Sequence, residues 1–233
     1  MNSVNQWTQS WAHKQNLPCH YQNQVTSTND LAKQEFAKNG DNFALWVADH
    51  QSQGRGREQR SWTDQGQGGE LLSTWCYQLG YTPQPILTPL LGLALYKALS
   101  PMSDQVINIK PPNDLRVEEM KFAGILVEAQ SQGANTRLFI GLGMDVFNAL
   151  QVDVPTTHLS AFTTVDEASW HSFCDRLKKE MDQAVAKSQT PTLSEDDRAL
   201  LLKALQNGDS QINKVKQDGS LQVGDQTIDW YRL

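Results

Sequence analysis

The chain has 233 residues, with 26 Asp+Glu against 20 Lys+Arg, a formal net charge of -6 and a pI near 5.3. That balance argues against a nucleic-acid binder working through bulk electrostatics, while leaving room for a local basic cleft that takes a small anion. A hydrophobic content of 39% with seven tryptophans supports the core of one medium domain, or of one domain plus a small appendage.

The polar start Met1-Asn2-Ser3-Val4-Asn5-Gln6 lacks a signal-peptide core, and no apolar run approaches the ~18–20 residues needed to span a bilayer. Cys19, Cys76 and Cys174 show no metal-ligand spacing and read as reduced thiols. The expectation is a soluble cytoplasmic protein with no nucleic-acid and no membrane partner.

A short helix is predicted around Val4 to Trp11, then a strand from Tyr21 to Thr26. Ser27-Thr28-Asn29-Asp30 resembles a capping box opening a helix that runs to about Lys38 and stops at Asn39-Gly40. Ala44 to Ala48 reads as a buried strand. It feeds the stretch around which the chain is organised, Gly54-Arg55-Gly56-Arg57-Glu58-Gln59-Arg60-Ser61-Trp62. Three arginines and two glycines stand together in an otherwise acidic chain. The glycines allow tight turning and close approach to a ligand. Arg55, Arg57 and Arg60 offer planar, permanently charged donors suited to carboxylate and phosphate oxygens.

Thr63 to Gly69 is expected to be a connector that orders over a ligand, followed by a strand from Leu71 to Tyr77. Thr88-Pro89 predicts a helix start, with Leu90, Leu91, Ala94, Leu95, Ala98 and Leu99 on its apolar face. Val106 to Ile109 reads as an alternating strand that delivers Lys110 to a turn stiffened by Pro111 and Pro112. Strands over 122–129 and 137–146 pair across a turn, and Gly141 and Gly143 suggest close backbone approach without a dinucleotide fingerprint. An amphipathic helix over 168–187, a linker at 187–191, a helix over 195–206 and an alternating tail with turns at Asp218-Gly219 and Gly224-Asp225 complete the chain.

Three motifs in order carry a resemblance: the Gly54-Arg55-Gly56-Arg57-x-x-Arg60-x-Trp62 loop, Lys110-x-Pro112-Asn113-Asp114-Leu115, and Lys121-x-x-Gly124-Ile125-Leu126-x-Glu128. Together with Ser27-Thr28-Asn29-Asp30 they resemble biotin protein ligase from about residue 20 to about residue 150. The resemblance implies an α+β fold of the class II synthetase-like biotin/lipoyl ligase type, a mixed, largely antiparallel sheet backed by helices. It implies a catalytic domain over 1–190 and a shortened C-terminal domain over 191–233. It implies activation of biotin by ATP and Mg²⁺ to biotinyl-5′-AMP, then transfer to a lysine of a biotin carboxyl carrier protein, by a monomer or weak homodimer.

On this resemblance Lys110, Arg55 and Arg57 are catalytic. Ser27, Thr28, Asn29, Gln51, Gly54, Arg55, Lys110 and Gly124 bind biotin; Arg57, Arg60, Trp62, Asn113, Asp114 and Lys121 bind the nucleotide; Asp114 is the candidate Mg²⁺ ligand. Local pattern alone gives Ser27, Thr28 and Asn29 a capping role, and Asp114 and Glu128 a structural ion-pair role; these readings stay beside the functional ones. The chain departs from the family pattern at Pro111, where the family has tryptophan, at Asp145, at Glu58-Gln59 and in its short tail. The residues before Ser27 are too few for a winged helix-turn-helix, so no DNA-binding role is expected. Two alternatives remain: a module that binds biotin or an adenylate without transfer, and a lipoate or octanoate ligase or transferase.

Overall fold

The computed structural model describes residues 3–149 and 154–232. In chain order its elements are α1 (Val4–Lys14), β1 (Cys19–Val25), α2 (Thr28–Asn39), β2 (Phe43–Gln51), β3 (Glu70–Leu79), α3 (Leu87–Leu99), β4 (Ile107–Lys110) and β5 (Asp114–Val117). These are followed by β6 (Met120–Gln132), β7 (Asn135–Asp145), α4 (Glu167–Lys187), α5 (Glu195–Gln206), β8 (Ile212–Val215), β9 (Leu221–Val223) and β10 (Gln226–Ile228). The chain forms two compact units, one of Met1–Thr82 with Phe122–His171, the other of Pro83–Lys121 with Ser172–Leu233.

The first unit is built on strands in the order β1-β2-β3-β7-β6. Only β1 and β2 run parallel; β2–β3, β3–β7 and β7–β6 are antiparallel. The expected α+β class with a mixed, largely antiparallel sheet is therefore observed. Because side chains alternate along a strand, Trp46 and Trp75 face opposite sides of the sheet, for Trp46 is paired with Thr74. On one side Phe36 of α2 meets Trp46 edge-on at 5.8 Å, with Ala32, Cys76 and Phe139 around them. On the other, Trp11 of α1 lies 5.9 Å from Trp75. All ten residues of β3 but Gln78 are buried, as the central strand of a doubly covered sheet demands.

Two helix starts differ from the sequence reading. Ser27 precedes α2 but makes no side-chain capping bond; the capping box sits instead at α1, between Ser3 and Gln6. Helix α3 begins at Leu87, with Ile86 rather than Thr88 at its cap. The predicted stop of α2 is as expected, with Gly40 in the left-handed region at φ 71°.

In the second unit α3 packs with β4 and α5. Strand β4 buries Ile107, Asn108 and Ile109 alike instead of alternating. Asn108 is accommodated because its amide donates to the Glu118 carbonyl at 3.0 Å. The segment 187–191 is packed rather than a loose linker: Ser188 is buried and its carbonyl accepts from the Gln84 N–H at 2.8 Å, while Lys187 pairs with Asp197 of α5. Beyond α5 the order β10-β9-β8 makes a small antiparallel sheet.

Candidate functional site

In the first unit the candidate residues come together where α2 begins. The side-chain carbonyl of Gln51, at the end of β2, accepts from the Thr28 N–H at 2.8 Å and from the Thr28 hydroxyl at 3.0 Å. Gln51 thus supplies the cap that Ser27 does not, and pins β2 to the helix N-terminus. Thr74 of β3 aims a buried hydroxyl at the Asn29 side-chain oxygen and at the Thr28 hydroxyl, 2.9 Å away. Ser27, Thr28, Asn29 and Thr74 are all nearly buried, which makes a row of interior polar groups. Thr28, Asn29 and Thr74 are held together through the Thr74 hydroxyl, as interior polar groups must be held.

Charge enters from the arginine loop. Arg55 lays both terminal nitrogens on Asp30, the second at 2.6 Å, and reaches Glu128 of β6 at 3.2 Å. Glu128 also accepts from the Asn29 amide at 2.6 Å and from Lys33 at 2.7 Å. The Arg55 hydrogen bond holds the Asp30 carboxyl below its usual pKa, and Asp30 in turn raises that of Arg55. Burial acts to raise the Glu128 pKa, but the Lys33 and Asn29 hydrogen bonds and the Lys33 and Arg55 charges outweigh it, so its net shift is downward.

The loop itself closes as a tight hairpin. Trp62 N–H donates to the Gly54 carbonyl at 2.9 Å, Gly56 N–H to the Arg60 carbonyl at 2.7 Å, and Arg55 pairs with Ser61. Gly54 is required by space: a Cβ there would stand 2.4 Å from the Trp62 carbonyl oxygen. The close approach anticipated over β7 is made by two site residues. A Cβ at Gly141 would meet the Asn29 oxygen at 2.7 Å, and one at Gly143 would meet the Trp62 ring at 2.5 Å. Gly124 of β6 is paired with Gly143. Arg60 is mostly exposed and pairs only loosely with Glu58 at 3.2 Å; Arg57 opens the single helical turn at 57–59.

Sequence reasoning missed two carboxylates here. Asp64 accepts from His50 Nδ1 at 2.7 Å, Gln51 N–H at 2.9 Å and Gly66 N–H at 2.8 Å, which ties the 63–69 connector to β2. The Asp64-x-Gly66 spacing was its only local signal. Glu70 is buried at the start of β3, and burial pushes its carboxyl pKa up. The same reading took in Asp30 only as part of the Ser27-Thr28-Asn29-Asp30 segment and left out Thr74 and Lys33; the partners of all three lie on other elements.

The second unit carries Lys110, Asn113, Asp114 and Lys121. Strands β4 and β5 form a hairpin in which Lys110 is paired with Asp114 across the Pro111-Pro112-Asn113 turn. Lys110 is exposed at the strand end, and Asp114 holds Lys121 at 2.7 Å. Among the described residues no three His, Cys, Asp or Glu side chains group as a metal site, and no helix is long and apolar enough to cross a membrane.

Residues 21–145 match the sequence profile of the biotin/lipoate A/B protein ligase family. The chain belongs to that family. It is 33% identical over 153 residues to the bifunctional ligase/repressor BirA of Bacillus spizizenii, across 64% of this chain and 46% of that protein. To BirA of Escherichia coli it is 31% identical over 126 residues, 52% of this chain and 38% of the relative. The chain thus matches less than half the length of these curated relatives.

Among solved structures, biotin protein ligase from Aquifex aeolicus in complex with biotin and ATP superposes with a TM-score of 0.69 at 20% identity, over 93% of this chain and 96% of that one. The Leishmania major biotin protein ligase in complex with biotinyl-5-AMP gives 0.63 at 20% identity, over 88% and 94%. At that identity the likeness shows the fold.

Proposed function

We propose that this protein joins biotin to ATP as biotinyl-5′-AMP and passes the biotinyl group to a lysine of a biotin carboxyl carrier domain. One observation carries the choice of biotin over its hydrocarbon-tailed relatives: the row Thr28, Asn29, Gln51 and Thr74, nearly all buried, beside the arginine loop. Such a row suits a head group with its own donors and acceptors, as the ureido ring has. A plain acyl tail has no donor or acceptor to offer these groups and so gains nothing from them.

In the first step a biotin carboxylate oxygen attacks the α-phosphorus of ATP and the bond to pyrophosphate breaks. Both reactants are anions, so the protein's work is positioning and neutralising charge. We assign Lys110 to the carboxylate and α-phosphate oxygens as a point charge, and Arg57 to the adenylate, with Arg60 and Trp62 in support. Arg55 is already committed to Asp30 and Glu128, so we give it the task of fixing the loop on α2 and β6. Asn113, Asp114 and Lys121 serve the nucleotide side. Asp114 is the carboxylate that would hold Mg²⁺, and the cation would supply neutralisation of phosphate charge; a lone carboxylate suits a cation that shares its ligands with a nucleotide and not an all-protein cage. In the second step the carrier lysine attacks the carbonyl carbon and AMP leaves. Residues 1–190 form the catalytic portion and 191–233 the short C-terminal portion.

The test is mass spectrometry of the purified protein incubated with ATP and Mg²⁺ and, in turn, biotin, lipoate and octanoate. Biotinyl-AMP with biotin alone supports the proposal; an adenylate from lipoate or octanoate alone overturns it. Biotin binding without any adenylate points to a binding module.

A further inference from the structure

We propose that Trp230, near the far end of the chain, is a positioning residue for Lys110; the functional half of this inference rests on the ligase reading above. The turn that carries Lys110 is short of internal support. Pro111 and Pro112 have no N–H to give, so the hairpin ladder skips from the Lys110–Asp114 pair directly to the open turn. The carbonyl that Pro112 leaves inside the protein needs a donor from elsewhere. The Trp230 indole N–H supplies it at 2.9 Å, from a ring that is only 2% exposed.

The rest of the tail is arranged to keep that ring in place. Trp230 opens a single helical turn, Trp230–Arg232, after β10. Next to it the Tyr231 hydroxyl bonds to the Pro85 carbonyl and lies 3.2 Å from the Thr88 hydroxyl, at the start of α3. Strand β4, which leads into the turn, is fastened separately: Asn207 after α5 donates to the Ile107 carbonyl at 3.1 Å. Lys110 therefore emerges from a strand locked at its root and a turn locked at its tip. The tip is locked by a side chain well over a hundred positions away in sequence. A lysine that must sit on two oxygen atoms at once gains rate from such restraint and not from affinity, because a misplacement of about an ångström costs catalysis on the order of a hundredfold.

The experiment combines two readouts on the full chain. Trp230→Phe keeps an apolar ring and removes the N–H; replacement of Trp230 by 3-benzothienylalanine keeps the full shape and removes the same N–H. Hydrogen–deuterium exchange should rise over residues 110–117 in both, with β8 to β10 unchanged. Adenylate formation should fall about tenfold in kcat with KM for biotin within about twofold, and the loss should vanish in a Lys110→Ala background, since residues acting through one another are non-additive. An equal loss in both backgrounds, or unchanged exchange over 110–117, overturns the proposal. If the wild type makes no adenylate from biotin, lipoate or octanoate, the ligase reading fails by itself. The exchange result then decides alone whether Trp230 holds the turn.

Discussion

The two cationic regions of this protein hold their charge in opposite ways. Arg55 is neutralised where it stands: Asp30 and Glu128 take its guanidinium, and Asn29 and Lys33 complete the network. Lys110 is exposed at the end of β4, and what is fixed there is the backbone of its turn, by Trp230 on Pro112. The first region spends its arginine on order, so that the buried row Thr28, Asn29 and Thr74 keeps one arrangement. The second leaves a point charge available. Charge density along a sequence therefore does not say which cation is committed to holding the fold; the partners of each cation do.

This contrast predicts a ranking of effects. Lys110→Ala should lower biotinyl-adenylate formation by about 10²–10³-fold, the scale seen when one donor to a developing charge is removed, with little change in melting temperature. A melting temperature that falls with the rate would contradict the idea that Lys110 is available rather than structural. Gly143→Ala should destabilise by about 1–3 kcal/mol, because the added methyl would lie 2.5 Å from the Trp62 ring and one of them must shift. Urea titration reads this directly.

Glu128→Gln keeps the shape and loses the charge that Lys33 and Arg55 share; about 1 kcal/mol is expected, with a raised KM for biotin through Asn29. The network also sets an acid response. Asp30 and Glu128 both have depressed folded-state pKa values, so their stabilisation is full above the unfolded carboxylate values near 4 and is lost as pH falls through the folded ones. Urea midpoints measured from pH 6 to pH 3 should drop less in Arg55→Ala than in wild type, since Arg55 is the largest cause of the Asp30 shift. An equal drop would mean that other carboxylates dominate. The smallest effect belongs to Arg60→Ala, whose exposed pair with Glu58 should contribute less than about 0.5 kcal/mol of stability.

Much of the fold was legible locally. The strand at 44–48, the helix stop at Gly40 and the paired strands of β6 and β7 each rest on near neighbours in sequence: an apolar run, a glycine in the left-handed region, a turn between two alternating segments. The readings that failed depended on distant partners. Ser27 looked like a cap because it is a serine before a helix, yet Gln51 provides the bond. The 106–109 strand reads as alternating, yet the Glu118 carbonyl lets Asn108 be buried along with Ile107 and Ile109.

By itself the sequence determined the family, the class of fold and the short list of cations and polar residues, because motifs and hydrophobic periods are local properties of a chain. The tertiary structure alone decided which of those residues are committed and to what. Arg55 meets Asp30 across 25 positions and Glu128 across 73, Thr74 reaches Asn29 across 45, and Trp230 reaches Pro112 across 118. Hydrogen bonds and ion pairs act over a few ångströms of space, and only the folding of the strands and helices brings residues so far apart in sequence within that range.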